Sequence, residues 1–322
     1  MEQCDNTDHQ GRRWESMPID ILVKIFLLTN IKDLICGISG VCSSWRLACA
    51  DSSFWKRIDF AVTPSYYIPM PEPPYVWVAS SSDNKVMRLL NYSLVLSRRD
   101  ITSLVFHINL YLKENHLSYV AERSPHLQQL VLPAWNRIST DCINKAISKW
   151  KNLQSLTMPC IRGHQSVMKA IGKNCRNFEQ LKIMGGRFDV SFASSISQFL
   201  PNLKVLSLRC SVLYEKAVNH IVDNMKHLQV LNLSHCLFVR ILPPLGDEEH
   251  VSKLDESILV KASCLPSFYT CWAPCCVLCQ RMDIDKGDLK WYKCEKDLWR
   301  TDEVMSLNYL HEAGLSSLQK QN

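Results

Sequence analysis

Cysteine is the residue type in this chain whose numbers and spacing could do chemistry. The chain has 322 residues and 15 cysteines. Cys264, Cys271, Cys275, Cys276, Cys279 and Cys294 fall near its C-terminal end. Cys276-Val-Leu-Cys279 has the spacing of a metal knuckle, in which two thiolates grip one ion. A structural zinc site normally joins two such pairs across a longer gap. Here Cys271, Cys275, Cys276 and Cys279 crowd into nine residues, and the nearest histidine after them is His311. The crowding favours reduced, packed or exposed thiols, so no metal ligand and no cofactor is assigned. A thiol-dependent enzyme would need a cysteine paired with a positioned histidine, and the sequence pairs none. It also lacks a Walker lysine loop, a Gly-x-Ser-x-Gly elbow and a His-Glu-x-x-His helix. The expectation is a chain without catalytic residues.

Composition is that of an ordinary globular protein, 47% apolar and 21% charged. Met1 to Arg13 has no apolar core of a signal peptide, and no apolar run approaches a membrane span. These features predict a nuclear or cytoplasmic protein with reduced thiols and no membrane partner. Cys36, Cys42, Cys49, Cys142, Cys175, Cys210 and Cys236 sit among apolar residues and read as small buried hydrophobes. The net charge is +6, and residues 98–240 hold 19 basic against 8 acidic side chains. These basic residues lie mostly near helix ends, where they cap carbonyls and meet solvent. With no Arg/Lys cluster beside stacking aromatics, nucleic acid is not an expected partner.

The elements that would position any site begin with a repeat. Six segments fit Leu-x-x-Leu-x-Leu, with middle anchors Leu104, Leu130, Leu156, Leu181, Leu206 and Leu231, spaced by 25 or 26 residues. Each reads as a strand by alternation. Helical spacing follows at His116–Arg123, Asp141–Lys149, Gln165–Lys173, Phe192–Phe199 and Glu215–Met225. One strand and one helix per repeat resembles the leucine-rich-repeat family, whose units stack into a curved solenoid. The ninth repeat position is Asn or Cys only at Asn109 and Cys236, which predicts irregular turns. Alternation sends one row of each strand to the concave face: Ser103, Val105, His107; Gln129, Val131, Pro133; Ser155, Thr157, Pro159; Gln180, Lys182, Met184; Val205, Ser207, Arg209; and Val230, Asn232, Ser234. From this row the expected contacts to a target are His107, Gln129, Val131, Thr157, Gln180, Lys182, Met184, Ser207, Arg209 and Asn232.

Ahead of the repeat, Trp14 to Phe60 predicts three short helices. Pro18 suits a first turn with Ser16 as a cap, and Asn30 can cap the second helix. Ile21, Leu22, Ile25 and Phe26 share a helical face. Fewer than 50 residues bury little core, yet this stretch is rich in Ile, Leu, Phe and Trp, the mark of a docking surface. The order Met17-Pro18, Ile21-Leu22-x-x-Ile25-Phe26, Asp33-Leu34, Val41-Cys42-x-x-Trp45-Arg46, Phe54-Trp55 resembles an F-box. In that family the segment binds the Skp-type adaptor of cullin-based (SCF) ubiquitin ligases. Met17 replaces the usual Leu, and Gly37 and Gly40 replace longer residues. The resemblance implies an adaptor-binding set of Met17, Pro18, Ile21, Leu22, Ile25, Phe26, Leu34, Val41, Cys42 and Trp45, with some also forming the core, Trp45 first among them.

Between the two modules, Pro64, Pro69, Pro71, Pro73 and Pro74 predict an extended linker, and Val86, Leu89, Leu90 and Leu94 a connecting helix. The tail is rich in Cys and Trp, a candidate solenoid cap, and Leu298–Val304 resembles the ending of plant F-box/leucine-rich-repeat proteins. The expected fold is α+β and multi-domain. A three-helix F-box spans 12–60 and the linker and helix 61–97. A leucine-rich-repeat solenoid of about six strand–helix units spans 98–240, an irregular C-terminal cap 241–310 and a tail 311–322. The resemblance implies the substrate-recognition subunit of an SCF ligase, reaching cullin and RING subunits through the adaptor and holding a protein target on the solenoid. The alternative is a leucine-rich-repeat scaffold in which the N-terminal helices are only a cap.

Overall fold

A computed structural model describes residues 14–60, 80–106, 111–133, 135–158, 163–183, 185–242, 247–251, 253–271 and 275–287. The N-terminal helices are α1 (Ile19–Phe26), α2 (Ile31–Cys36) and α3 (Ser43–Cys49). Asn30 caps α2 as its side chain accepts from the Asp33 amide. At α1 the cap is Pro18 itself, with no side-chain bond, and not Ser16. Helix α2 ends at Gly37, and Ile38–Gly40 continues as a short 3-10 turn. Strand β1 (Arg57–Asp59) follows, then α4 (Ser80–Leu96).

The repeats run in order: β2 (Ser103–Val105), β3 (Tyr111–Lys113), α5 (Glu114–Arg123), β4 (Gln129–Val131), β5 (Trp135–Arg137), α6 (Thr140–Lys149), β6 (Ser155–Met158), α7 (His164–Asn174), β7 (Gln180–Ile183), β8 (Arg187–Phe188), α8 (Val190–Phe199), β9 (Val205–Ser207), β10 (Val212–Tyr214), α9 (Glu215–Asn224) and β11 (Val230–Leu233). Beyond them come β12 (Leu237–Leu242), β13 (Asp247–Val251), α10 (Glu256–Ser263), β14 (Ser267–Thr270) and α11 (Val277–Ile284).

All six Leu-x-x-Leu-x-Leu segments are strands of one eight-stranded parallel sheet, ordered β1-β2-β4-β6-β7-β9-β11-β14. The six middle anchors pair in register from Leu104 to Leu231. Each is 2% exposed or less, because this is the side that the helices cover. Helix starts carry local caps where the sequence supplies them: Ser139 on α6 and Asp189 on α8 accept backbone amides. One helix contact is too close for a side chain. A Cβ on Gly172 of α7 would sit 2.3 Å from the Phe199 carbonyl oxygen of α8.

The sheet runs past 98–240 at both ends. Ile58 of β1 pairs with Leu104, and Phe268 of β14 pairs with Leu231. Trp55-x-x-Ile58-x-Phe60 has the spacing of a repeat strand, and all three side chains are buried. The N-terminal helices are thus joined to the solenoid by a shared strand. Their own core of Leu22, Phe26, Leu34, Ala48, Cys49, Phe54 and Trp55 meets Tyr92 and Leu96 of α4. Ile31 and Ile35 touch both this core and the repeat core. The proline-rich segment 61–79 and residues 288–322 lie outside the described residues.

After the main strands, short strands form a second sheet ordered β13-β12-β10-β8. The turns entering it have a periodic strain. Gly185, Cys210 and His235 occupy equivalent places in successive repeats, and all three are left-handed, with φ of 76°, 53° and 58°. Only glycine adopts that region without cost.

Candidate functional site

The ten residues expected to meet an adaptor divide by burial. Leu22, Phe26 and Leu34 are 3% exposed or less and form the core of the N-terminal helices. They face inward because α1 turns the Leu22/Phe26 stripe against α3 and the start of α2. Trp45 supports this core from its edge. Its ring meets Phe26 edge-on at 5.1 Å, and its indole N–H donates to the Trp14 carbonyl at 3.3 Å. Met17 and Cys42 are half-buried. Hydrogen bonding with Ser44 lowers the Cys42 thiol below its ordinary range. Pro18, Ile21, Ile25 and Val41 are the four that reach solvent.

Sequence reasoning missed the neighbours that complete this surface. Leu28, four-fifths exposed or more, lies in the turn that follows α1, three residues after Ile25. Ile19, Leu27 and Leu47 are also exposed. A domain with a closed core of its own therefore carries a second set of large apolar side chains in water. The signal was present as an excess of apolar residues over what one core could bury.

The concave row differs from expectation. Val131, Thr157, Lys182, Ser207, Arg209 and Asn232, all expected to touch a target, are 3% exposed or less. In the in-register ladder, Val105, Val131, Thr157, Lys182, Ser207 and Asn232 stand side by side on successive strands. Parallel strands lie about 4.8 Å apart, so each inner side chain is walled by two neighbours. Gln129 and Gln180, in the adjoining row, remain half-exposed. His107 and Met184 lie outside the described residues. Alternation separates this row from the leucine anchors, but it does not measure how closely the row packs.

Among the described residues of that target-contact set, Gln129 and Gln180 are the polar side chains this face leaves partly open, whereas Lys182 and Arg209 are buried. At the solenoid's far end, Glu215 receives both Arg240 Nε at 2.7 Å and Nη2 at 3.0 Å. It also accepts the Asp255 amide at 3.0 Å, tying α9, β12 and α10 together. Also in the C-terminal part, the knuckle Cys276-x-x-Cys279 meets Cys271 and His235, the one such group among the described residues that could hold a metal. Among the described residues no helix is long and apolar enough to cross a membrane.

Comparison with known proteins agrees with this geometry. The F-box-like family matches residues 14–61. An F-box/LRR-repeat protein of Arabidopsis thaliana is 44% identical over 92% of this chain and 96% of its own length. A putative F-box protein of the same plant is 27% identical over 96% of this chain and all of its own length. The Arabidopsis F-box protein SKIP1 is 24% identical over 71% of this chain and 81% of its own. A helical domain with an apolar outer face, fused to a strand–helix solenoid, defines an F-box/repeat protein. The chain belongs to the F-box/leucine-rich-repeat family of plants. An F-box implies binding to a Skp-type adaptor, and proteins of this family are generally non-catalytic adaptors.

Proposed function

We propose that this chain is the substrate-recognition subunit of an SCF-type cullin ubiquitin ligase. Ile21, Ile25, Leu28 and Val41 dock the Skp-type adaptor, and the solenoid holds a protein target. The observation that carries the reading is this solvent-facing apolar set on a domain whose core is already complete. Apolar surface of that kind gains free energy when a partner removes it from water. The chain contributes position and not bond-making. Holding a target near the ubiquitin carrier raises the effective concentration of the target's lysines. The shared strand and the α4 contacts join the two modules, which suits that role.

The same fusion favours a second reading. Strand β1 and the N-terminal helices cover the first edge of the sheet, as a solenoid cap must. A scaffold protein would need them for nothing more. Adaptor binding separates the readings. Removing residues 1–60 is an unsuitable test, because it strips β1, Trp55, Ile58 and Phe60 from the solenoid. The suitable comparison is purified Skp-type adaptor titrated against the full chain and against its Ile25→Asp variant. Micromolar or tighter binding, on the order of −8 kcal/mol, weakened about 30-fold or more by Ile25→Asp, supports the ligase reading. No binding to the full chain leaves the scaffold.

A further inference from the structure

We propose that His235, Cys271, Cys276 and Cys279 form a structural zinc site that staples the C-terminal segment to the last repeats. Three separate pieces of chain deliver the ligands. His235 stands in the turn between β11 and β12, Cys271 directly follows β14, and Cys276 caps α11 with Cys279 in its first turn. Their ligand atoms all lie within 4.8 Å of one another. The His235 Nδ1 is 3.3 Å from the Cys276 sulfur and 3.4 Å from that of Cys279. Tetrahedral zinc, with bonds of about 2.3 Å to sulfur and 2.0–2.1 Å to nitrogen, spaces such a pair about 3.5 Å apart. A group this small encloses one ion and not a cluster. Three cysteines and one histidine are a zinc set with no open position, so the role is structural.

The surroundings of the four residues suit the same ligand. His235 holds a left-handed backbone in a place where an earlier repeat uses Gly185. A side chain tolerates that conformation at a cost of about 1 kcal/mol or more, as Cys210 also does one repeat earlier. Arg209 is fully buried, and the amide of its neighbour Cys210 donates to the carbonyl of Ser234, the residue before His235. Zinc with three thiolates and a neutral imidazole carries one net negative charge, which complements a buried guanidinium. The α11 N-terminus adds its positive dipole end to the thiolates of Cys276 and Cys279.

The site has a mechanical consequence. Leu278 and Met282 of α11 pack on Cys210, Val212, Leu237 and Val239. That apolar contact is small, and a metal bond from each side of it would fix α11 against the second sheet. The last repeats would then be closed by coordination where the first are closed by the N-terminal helices.

The test is elemental analysis of the full chain, expressed with zinc available and purified without chelator. About one zinc per chain is expected, since structural zinc survives purification. His235→Ala and the double variant Cys276→Ser/Cys279→Ser should fall below about 0.2 zinc per chain. His235→Cys should restore binding, because Cys210 already adopts the same left-handed turn one repeat earlier. Cobalt added to the metal-stripped chain should show the ligand-field and thiolate charge-transfer bands of a tetrahedral site, a readout that needs no variant. Adaptor binding belongs to the other end of the sheet and should not change. Wild-type protein with less than about 0.2 zinc, iron or copper in its place, or zinc retained by both variants would overturn the assignment.

Discussion

The outer face of the F-box and the concave row of the solenoid are inverted with respect to each other. On the F-box, Ile21, Ile25, Leu28 and Val41 stand in water. On the solenoid, Thr157, Lys182, Ser207 and Asn232 are enclosed. Residue type would have assigned the two regions the opposite way. The difference teaches that exposure follows the number of neighbouring elements. A three-helix domain has more apolar side chains than interior, whereas a parallel ladder walls each inner side chain with two others.

The largest effect that could break this comparison is a charge placed on either side of the F-box core. Leu22→Asp should destabilise the N-terminal helices by on the order of 4 kcal/mol or more, because the carboxylate is buried without a partner. Ile25→Asp should leave the melting temperature nearly unchanged and weaken adaptor binding about 30-fold or more. Thermal denaturation beside a binding titration reads both. If Leu22→Asp kept wild-type stability, the core described here would be misplaced.

Next in size is Gly172→Ala, which forces a methyl against the Phe199 carbonyl. A loss of about 1–3 kcal/mol is expected, and chemical denaturation should show it with adaptor affinity intact. Glu215→Gln tests the ties of the last repeats. It removes the charge that Arg240 and the Asp255 amide meet, for a loss of about 1 kcal/mol, the pair being partly open to water on the arginine side. Stability unaffected by this change would make the α9–β12–α10 tie incidental.

The smallest effects concern labelling and sharpen the concave side of the comparison. Lys182 should resist an amine reagent that modifies exposed Lys169, measured by mass spectrometry of digested protein. Equal labelling would mean that the row is open. Thiols should divide in the same way. Burial pushes Cys175 up to about 12 and Cys49 up to about 11, so neither offers thiolate near neutral pH. Among the described cysteines, Cys264 and Cys275 are exposed and should be alkylated first.

Much of the fold was legible, and for a definite reason. A period of 25 or 26 residues repeats the same apolar ladder six times, and each strand and each following helix falls within a few residues of its expected place. The two end strands were hidden by interruption. Ile58 lies 46 residues before Leu104, with 61–79 and α4 between them, and Phe268 lies 37 residues after Leu231. Trp55 to Phe60 was also read as part of the F-box, which masked its second role as a strand. The site was less legible. The histidine facing Cys276 and Cys279 is not the one that follows them but His235, 36 residues before Cys271.

By itself the sequence determined the modules: the helical docking segment, the repeat and its phase, and the side of each strand that the helices cover. Those properties are local or periodic, so spacing along the chain carries them. Tertiary structure decided which of the expected docking residues turn inward, how tightly the inner row of the sheet closes, and which turn meets the cysteines. Each of these depends on distances between elements far apart in the chain, which no period along the sequence records.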